Sequence, residues 1–419
     1  MSTTDTAADR LIPHPAEGVW PGLQDPGDHH TRMTIARWLM RGAVRRMPMR
    51  LQWPNGTVEG AGTGSDPMVR LIRPAAFFTR LGRHGLIGFG EAWMVGDWDS
   101  DDLVGVLRVL TENIEHLVPR ALRNLRRVYD RGQPREEDAG DATVSQENVR
   151  RHYDLSNDLF ALFLDESMLY SAAWFDPAAR GETLTAAQHR KVDGILDYAG
   201  VRAGSRVLEI GTGWGEAAIR VAQRGARVTT LTLSVEQAQL ARERAEAAGV
   251  SDRITIDVRD YRDAVGEYDA IISIEMIEAV GERYWSTYFA TIDRLLAPGG
   301  RFGLQSITMP HHRFEATKTS YTWIHKYIFP GGLIPSLEAI DATLADHTTL
   351  RVTERRSVGL DYAETLRRWR ATFRERSPEV RALGFDETFV RMWDFYLAYS
   401  EAGFATGYLD DWQLSVARP

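Results

Sequence analysis

Within the 419-residue chain, a carboxylate, Glu209, stands two residues ahead of three closely spaced glycines, Gly211, Gly213 and Gly215. Glycines so spaced let a backbone turn sharply and pass close to a ligand. Dinucleotide-binding turns use a G-x-G-x-x-G spacing. Here the third glycine comes one residue early, and Glu216 holds the position that would need Gly or Ala. A carboxylate at 209 suits a cationic ligand end better than a pyrophosphate. The loop therefore points to S-adenosylmethionine, whose amino-acid end is cationic. His311 and His312 are adjacent, but no metal-ligand spacing surrounds them, so no metal is expected. The chain has no cysteine, which excludes disulfides, thiolate nucleophiles and cysteine metal sites and fits a reducing cytoplasm.

The elements that must position this loop follow from the apolar pattern. Arg206–Ile210 reads as a buried strand and Trp214–Gln223 as the helix after it. Further strands are expected at 227–233, 254–258, 268–274 and 301–305, with helices at 236–248 and 288–296, the last closed by Pro298-Gly299-Gly300. Strands alternating with helices of this length specify an α/β fold with a doubly wound, mostly parallel sheet, of the kind seen in class I S-adenosylmethionine methyltransferases. Its ligand sits at the carboxyl ends of the strands.

The length exceeds what one core usually organises, so two domains are expected. Residues 1–30 read as an irregular arm and 31–132 as a smaller mixed α+β N-terminal domain that associates with lipid or membrane. The polar stretch 133–147 reads as a linker and 148–419 as the methyltransferase domain. Within the N-terminal domain, Pro54-Asn55-Gly56 marks a turn and Met68–Ile72 a strand. Net charge of -8 argues against general nucleic-acid binding. No secretory signal is expected. Six arginines and no acid lie between Arg32 and Arg50, interleaved with Ile35, Trp38, Leu39 and Met40, and a second basic stretch runs from Arg120 to Arg131. Such stretches either lie on an anionic bilayer or form a solvated face on their own domain.

Several segments go beyond the fold. They are His152–Asp158, Leu169-Tyr170-Ser171, Leu231–Gln237, Asp260–Asp263, Ile277–Gly281 and Phe329–Pro335. In these the chain resembles the cyclopropane-fatty-acyl-phospholipid synthase and mycolic acid methyltransferase family over nearly its whole length. Gly88–Trp98 looks like the extra domain of the phospholipid-acting branch, which the shorter mycolic acid enzymes lack. Glu275–Gly281 with Leu304–Thr308 looks most like the actinobacterial subgroup that includes the methyltransferase of tuberculostearic (10-methyl-stearic) acid synthesis.

The resemblance implies that Tyr170, Ser171, Gly211, Thr232, Leu233 and Gln237 contact the cofactor, with Asp260 and Tyr261 near its adenine. From the residues alone, Thr232 and Leu233 read equally as strand-end packing and Tyr261 as a loop anchor. Trp174, Tyr321, Trp323, Tyr327 and Phe329 lie in segments expected to line the acyl tunnel, where aromatic faces can shield a carbocation.

The family assigns proton removal to a bicarbonate held by a cysteine, a glutamate, a histidine, an isoleucine backbone and a tyrosine. Glu278, Ile307 and Tyr362 match three of these positions. The cysteine and histidine positions hold Ala172 and Gln305, which puts bicarbonate in doubt. The resemblance then implies transfer of a methyl group to the double bond of an oleoyl-type phospholipid chain. A 10-methylene chain is the expected product, for a separate flavin or nicotinamide reductase to reduce. The alternatives are a cyclopropane synthase and, further off, a lipid- and cofactor-binding protein without catalysis. The expected place is the cytoplasm, peripherally on the inner face of an anionic membrane; homo-oligomer formation stays open.

Overall fold

A computed structural model describes residues 15, 19–24, 26–27, 29–114 and 157–419. The second basic stretch, the linker 133–147 and most of His152–Asp158 lie outside the described residues.

The chain divides into two compact units. The first holds residues up to Gln133 together with Arg370–Ala402. Its four-stranded mixed sheet runs β2-β1-β3-β4, with β1 at Arg50–Gln52, β2 at Val58–Glu59, β3 at Met68–Leu71 and β4 at Trp98–Asp99. The expected turn joins β1 to β2, closed by Trp53 N–H to the Thr57 carbonyl at 2.8 Å, with Gly56 at φ +82°. Helix His30–Val44 buries Ala36, Met40, Ala43 and Val44, while Ile35 and Trp38 are 50% and 67% exposed.

The linear boundary expected at 148–419 differs from this division, because Arg370–Ala402 packs with the N-terminal residues. The Trp93 indole N–H donates to the Arg391 carbonyl at 3.0 Å, and Arg391 Nε donates to the Trp93 carbonyl at 2.6 Å. The Arg391 guanidinium also covers the Trp93 ring at 4.3 Å. These partners lie 298 positions apart, so no local pattern announces the pairing.

The second unit holds Pro134–Trp369 and Gly403–Pro419. Its seven strands are β5 (Arg206–Ile210), β6 (Arg227–Thr232), β7 (Ile254–Val258), β8 (Tyr268–Ile274), β9 (Leu296–Thr308), β10 (Arg351–Ser357) and β11 (Asp410–Ala417). They lie in the order β10-β11-β9-β8-β5-β6-β7, and β11 runs antiparallel to both its neighbours while β5 to β9 pair in parallel. Three expected strands match residue for residue. β9 differs: it starts at Leu296, and Pro298–Gly300 bulges out of register, with Tyr268 paired to Leu296 and Ala270 to Arg301. The order reverses between β5 and β8, which opens a crevice at their carboxyl ends.

Alternation along the strands sorts the two faces. Leu208, Ile210, Ile271, Phe302, Leu304, Leu414 and Val416 join Tyr288, Phe289 and Ile292 in one core cluster. Val207, Ala270 and Ile272 pack on Val192, Ile195 and Val221 on the other face. Gln305, Gln413 and Ser415 also fall on that second face, under helix Leu184–Tyr198. There Gln413 Nε2 donates to the Lys191 carbonyl at 2.9 Å, and Ser415 Oγ to that of Tyr198 at 2.9 Å. Helix and sheet come so close that a Cβ on Gly303 would stand 2.8 Å from the Ile195 carbonyl.

Candidate active site

The glycine loop leaves β5 at the crevice. Gly211 and Thr212 both donate N–H groups to the Leu231 carbonyl at 3.0 Å, which ties the loop to the end of β6. Gly211 has φ +99°, and a Cβ there would meet the Met276 side chain, just past β8, at 2.6 Å. Gly215, also at positive φ, precedes helix Glu216–Gln223. Glu216 does not face a ligand: it pairs with Arg244 at 2.7 Å and His189 at 3.0 Å.

Glu209 is buried, and its Oε2 has no hydrogen-bond partner. Burial pushes its carboxyl up to about 8, against the Thr230 hydroxyl and the Lys191 charge. A buried polar atom without a partner costs about 1–3 kcal/mol, which a cationic ligand group would offset. The loop and this orphaned carboxylate therefore fit the amino-acid end of S-adenosylmethionine.

At the end of β6, Thr232 Oγ1 donates to Gln237 Oε1 at 2.9 Å, and Gln237 N–H donates to Ser234 Oγ at 3.1 Å. Leu233 follows, half-buried. Past β7, Arg262 grips both Asp260 oxygens at 2.8 and 2.6 Å. Burial alone would raise the Asp260 carboxyl; Arg262 overrides it and holds it below its usual value. The Tyr261 ring meets Tyr288 edge-on at 5.4 Å. Tyr170 packs among Phe160 and Trp369, at 5.1 and 5.4 Å. Ser171 turns inward, its hydroxyl accepting from the Lys191 ammonium and its carbonyl from Gln188 Nε2.

A second buried cluster lies beyond the crevice. Glu278 Oε1 accepts from Ile307 N–H at 2.6 Å and Ser306 Oγ at 2.9 Å, while its Oε2 is buried without a partner. Burial, reinforced by the negative charge of Glu275, pushes the Glu278 carboxyl up to about 8. Gln305 bridges two acids: its Nε2 donates to Glu275 Oε1 at 3.0 Å and to Asp411 Oδ2 at 2.7 Å. Gln413, its cross-strand partner, donates to Gln305 Oε1 at 3.1 Å. The Tyr362 hydroxyl donates to Glu275 Oε2 at 2.9 Å, so it serves Glu275 and not Glu278.

Burial, with the neighbouring charges of Glu275 and Glu278, pushes the Asp411 carboxyl well above its ordinary value. Burial raises Glu275 as well, while the Lys191 ammonium and the hydrogen bonds from Ala172 and Tyr362 oppose it. Lys191 itself is pulled down to about 8 by burial.

The aromatic segment is tied to this cluster, since Leu333 N–H donates to the Glu278 carbonyl at 2.8 Å. Within it Tyr321 stacks on His325 at 6.0 Å, Trp323 meets Tyr327 at 5.4 Å, and the Phe329 carbonyl accepts from Gly332 N–H. Trp174 is placed elsewhere. It lies under the Arg356 guanidinium of β10 at 4.0 Å and against Gly194, a packing position on the sheet. His311 bonds to Ser336 at 2.8 Å and stacks on Phe314.

Known proteins place this geometry. The family model for mycolic acid cyclopropane synthetase matches residues 141–414. The chain belongs to the mycolic acid cyclopropane synthetase family. It is 51% identical over 92% of its length to a tuberculostearic acid methyltransferase of Mycobacterium tuberculosis, covering 91% of that protein. It is also 34% identical to the cyclopropane-fatty-acyl-phospholipid synthase of Escherichia coli, over 85% of this chain and 89% of that one. A crystal structure of a mycolic acid cyclopropane synthase complexed with SAH and CTAB superposes with a TM-score of 0.59 at 29% identity, covering 65% of this chain and 97% of that one. This synthetase-family chain is an S-adenosylmethionine-dependent methyltransferase.

Sequence reading missed Lys191, Glu275, Asp411 and Gln413 as site residues. For Lys191 a signal was present: it falls with Gln188 on the helical stripe Ala187, Gln188, Lys191, Val192, Ile195, all of them buried. A lysine on a buried stripe needs a charged partner. Asp411 and Gln413 carried no such signal, because their strand was not recognised.

Glu209 and Glu278 make a paired prediction. Both carboxyls are raised, so the folded chain keeps protons that the unfolded chain loses above the ordinary value of 4.5. The stability they contribute is full below that pH and is lost as pH rises towards about 8. Glu209→Gln and Glu278→Gln should therefore each melt higher than the parent at pH 8, with a smaller difference at pH 5. Calorimetric titration should separate them: Glu209→Gln weakens S-adenosylmethionine binding by about tenfold or more, Glu278→Gln by less than about twofold.

Proposed function

We propose that the chain methylates the double bond of an oleoyl-type phospholipid acyl chain and leaves a 10-methylene chain. A separate flavin or nicotinamide reductase would convert that product to the 10-methyl chain. One observation carries the reading: the 51% identity to a tuberculostearic acid methyltransferase extends over 92% of the chain, so it spans both units. The altered proton-removal positions Ala172 and Gln305 support it.

S-adenosylmethionine, when bound, supplies a methyl group on a positive sulfur. The chain's residues do the rest. Glu209 and the glycine loop hold the cofactor's amino-acid end at the crevice. An alkene is a weak nucleophile, so alignment and exclusion of water supply much of the acceleration. The segment Tyr321–Phe329, fastened to Glu278 through Leu333, supplies apolar walls and aromatic faces beside a developing positive charge. The π pair forms the new C–C bond at C10 and leaves a cation at C9. A hydride shift from C10 to C9 moves the cation to C10. Loss of a proton from the added methyl then gives the methylene carbon. Closure of that methyl onto C9 with loss of the same proton would give a cyclopropane. The Escherichia coli relative favours that second reading.

The acyl chain must be drawn from a bilayer, and among the described residues no helix is long and apolar enough to cross one. Helix His30–Val44 suits the surface instead, at the inner face of the cytoplasmic membrane. Exposed Ile35 and Trp38 stand among arginines, of which Arg41 pairs with Glu59 and Arg37 covers Trp53. Apolar residues among cations favour an anionic bilayer.

Two outcomes follow. The purified protein with S-adenosylmethionine and dioleoyl phosphatidylglycerol vesicles should yield 10-methylene-octadecanoate on mass spectrometry of the methyl esters; cyclopropane alone would establish the second reading. In vesicle sedimentation, binding should weaken as salt rises, and Trp38→Ala should lower it by about threefold to tenfold. Salt-independent binding unchanged in Trp38→Ala would remove this helix from the membrane contact.

A further inference from the structure

The family resemblance brings a bicarbonate to the proton-removal site, and the residues present do not fit one. The groups that would hold it are the Ala172 position, Glu278, Gln305, the Ile307 N–H and Tyr362. Ile307 N–H is taken by Glu278 at 2.6 Å. The other donors all converge on one side chain. Ala172 N–H at 2.8 Å, Gln305 Nε2 at 3.0 Å and the Tyr362 hydroxyl at 2.9 Å each donate to the carboxylate of Glu275. The donors of an anion site are present and spent on a carboxylate of the chain itself.

Its backbone carries the mark of that arrangement. Glu275 has φ +52°, one of two non-glycine residues with positive φ among the described residues. A side chain in that left-handed region costs of order 1 kcal/mol or more, and it persists where surrounding contacts fix it. Here the fixing contacts are the three donors, with Glu275 N–H bonded to the Gln305 carbonyl at 2.8 Å. The next residue, Met276, packs against Gly211 of the cofactor loop, and Glu278 three residues on is tied to the aromatic segment. Glu275 thus lies on the short segment that joins the cofactor loop to the aromatic segment. Lys191 balances its charge.

We propose that the Glu275 carboxylate is the site's built-in anion and takes the proton released by the methylated acyl chain, so that this chain works without bicarbonate. The proposal rests on the acyl-methylation reading. In the step, the C–H bond of the added methyl breaks, its electron pair becomes the new C=C bond, and the proton passes to a Glu275 oxygen. Tyr362 holds that carboxylate in place.

Glycine adopts φ +52° without strain, so Glu275→Gly should fold and leave the three donors to an added anion. Methyl transfer would be followed in buffers stripped of carbon dioxide and in buffers supplemented with bicarbonate, with cofactor binding and melting checked for each variant. Binding of ¹³C-bicarbonate would be read by NMR line broadening. The parent should turn over at the same rate with or without bicarbonate and should not broaden its signal. Glu275→Gln should lose about 100-fold or more in turnover and gain nothing from bicarbonate, while Glu275→Gly should broaden the signal and recover about tenfold with bicarbonate. A parent that slows about fivefold or more when bicarbonate is removed, or that broadens the signal, overturns the proposal, as does near-parental turnover in Glu275→Gln. The bicarbonate measurements on the parent decide the matter even if a variant fails to fold. A parent that methylates no unsaturated lipid would refute the reading of function, while the NMR titration would still decide the anion site.

Discussion

Charge removed from water must be answered by donors or by opposite charge, and the carboxyl end of the large sheet is arranged around that requirement. Glu275, Glu278 and Asp411 lie in one buried cluster with a single lysine, Lys191. Asp411 accepts from Gln305, Glu275 is balanced by the lysine, and Glu278 takes a backbone N–H and a serine hydroxyl. The partners come from separate elements: Glu275 follows β8 directly, β9 supplies Gln305, Ser306 and Ile307, and β11 supplies Asp411 and Gln413. Helices Leu184–Tyr198 and Gly359–Glu375 bring Lys191 and Tyr362. Loss of any one element would leave an uncompensated buried polar group, so the sheet order and the chemistry are one constraint.

The cofactor half and the proton half of the site differ in kind. Glu209 is an orphan waiting for a ligand; Glu275 is saturated by its own chain. An unmet buried acid suits reversible capture of a cation, since the ligand removes a penalty that the empty site carries. A saturated acid suits fixed placement, since its donors resist displacement. Glu209 precedes Gly211 by two residues and Glu275 precedes Met276 by one, so the Gly211–Met276 contact joins the segments that carry the two carboxyls.

The cofactor half was legible in the sequence because it is local. Strand, glycine loop and helix occupy 206–223 without a break, and period-2 and period-3.6 patterns place them. Glu278, Gln305, Ile307 and Tyr362 were found through resemblance to a family, and the structure gathers them in one cluster. Their partnerships were not legible. Tyr362 lies 87 positions from Glu275, and Asp411 lies 106 from Gln305. The second pairing depends on the register of β11 against β9, which alternation alone does not set, and the first on where helix Gly359–Glu375 docks. Trp174 shows the opposite failure: an aromatic near a site motif satisfied the expectation of a tunnel wall, while an arginine on β10 claimed its ring. The grouping of Arg370–Ala402 with the N-terminal residues was equally out of reach, because it rests on pairs such as Trp93 with Arg391.

The antiparallel strand β11 has a consequence for how the molecule is made. Residues 191, 275 and 305 leave the ribosome more than a hundred positions before Asp411 and Gln413. Until β11 docks, the part of the face beneath helix Leu184–Tyr198 that holds Lys191 and Gln305 lacks Asp411 and Gln413 and is open to water. A nascent chain can thus complete the methyl-donor half while the proton-accepting half is still wet and unformed. Insertion of β11 is the sealing event that turns scattered surface ions into one coupled interior group.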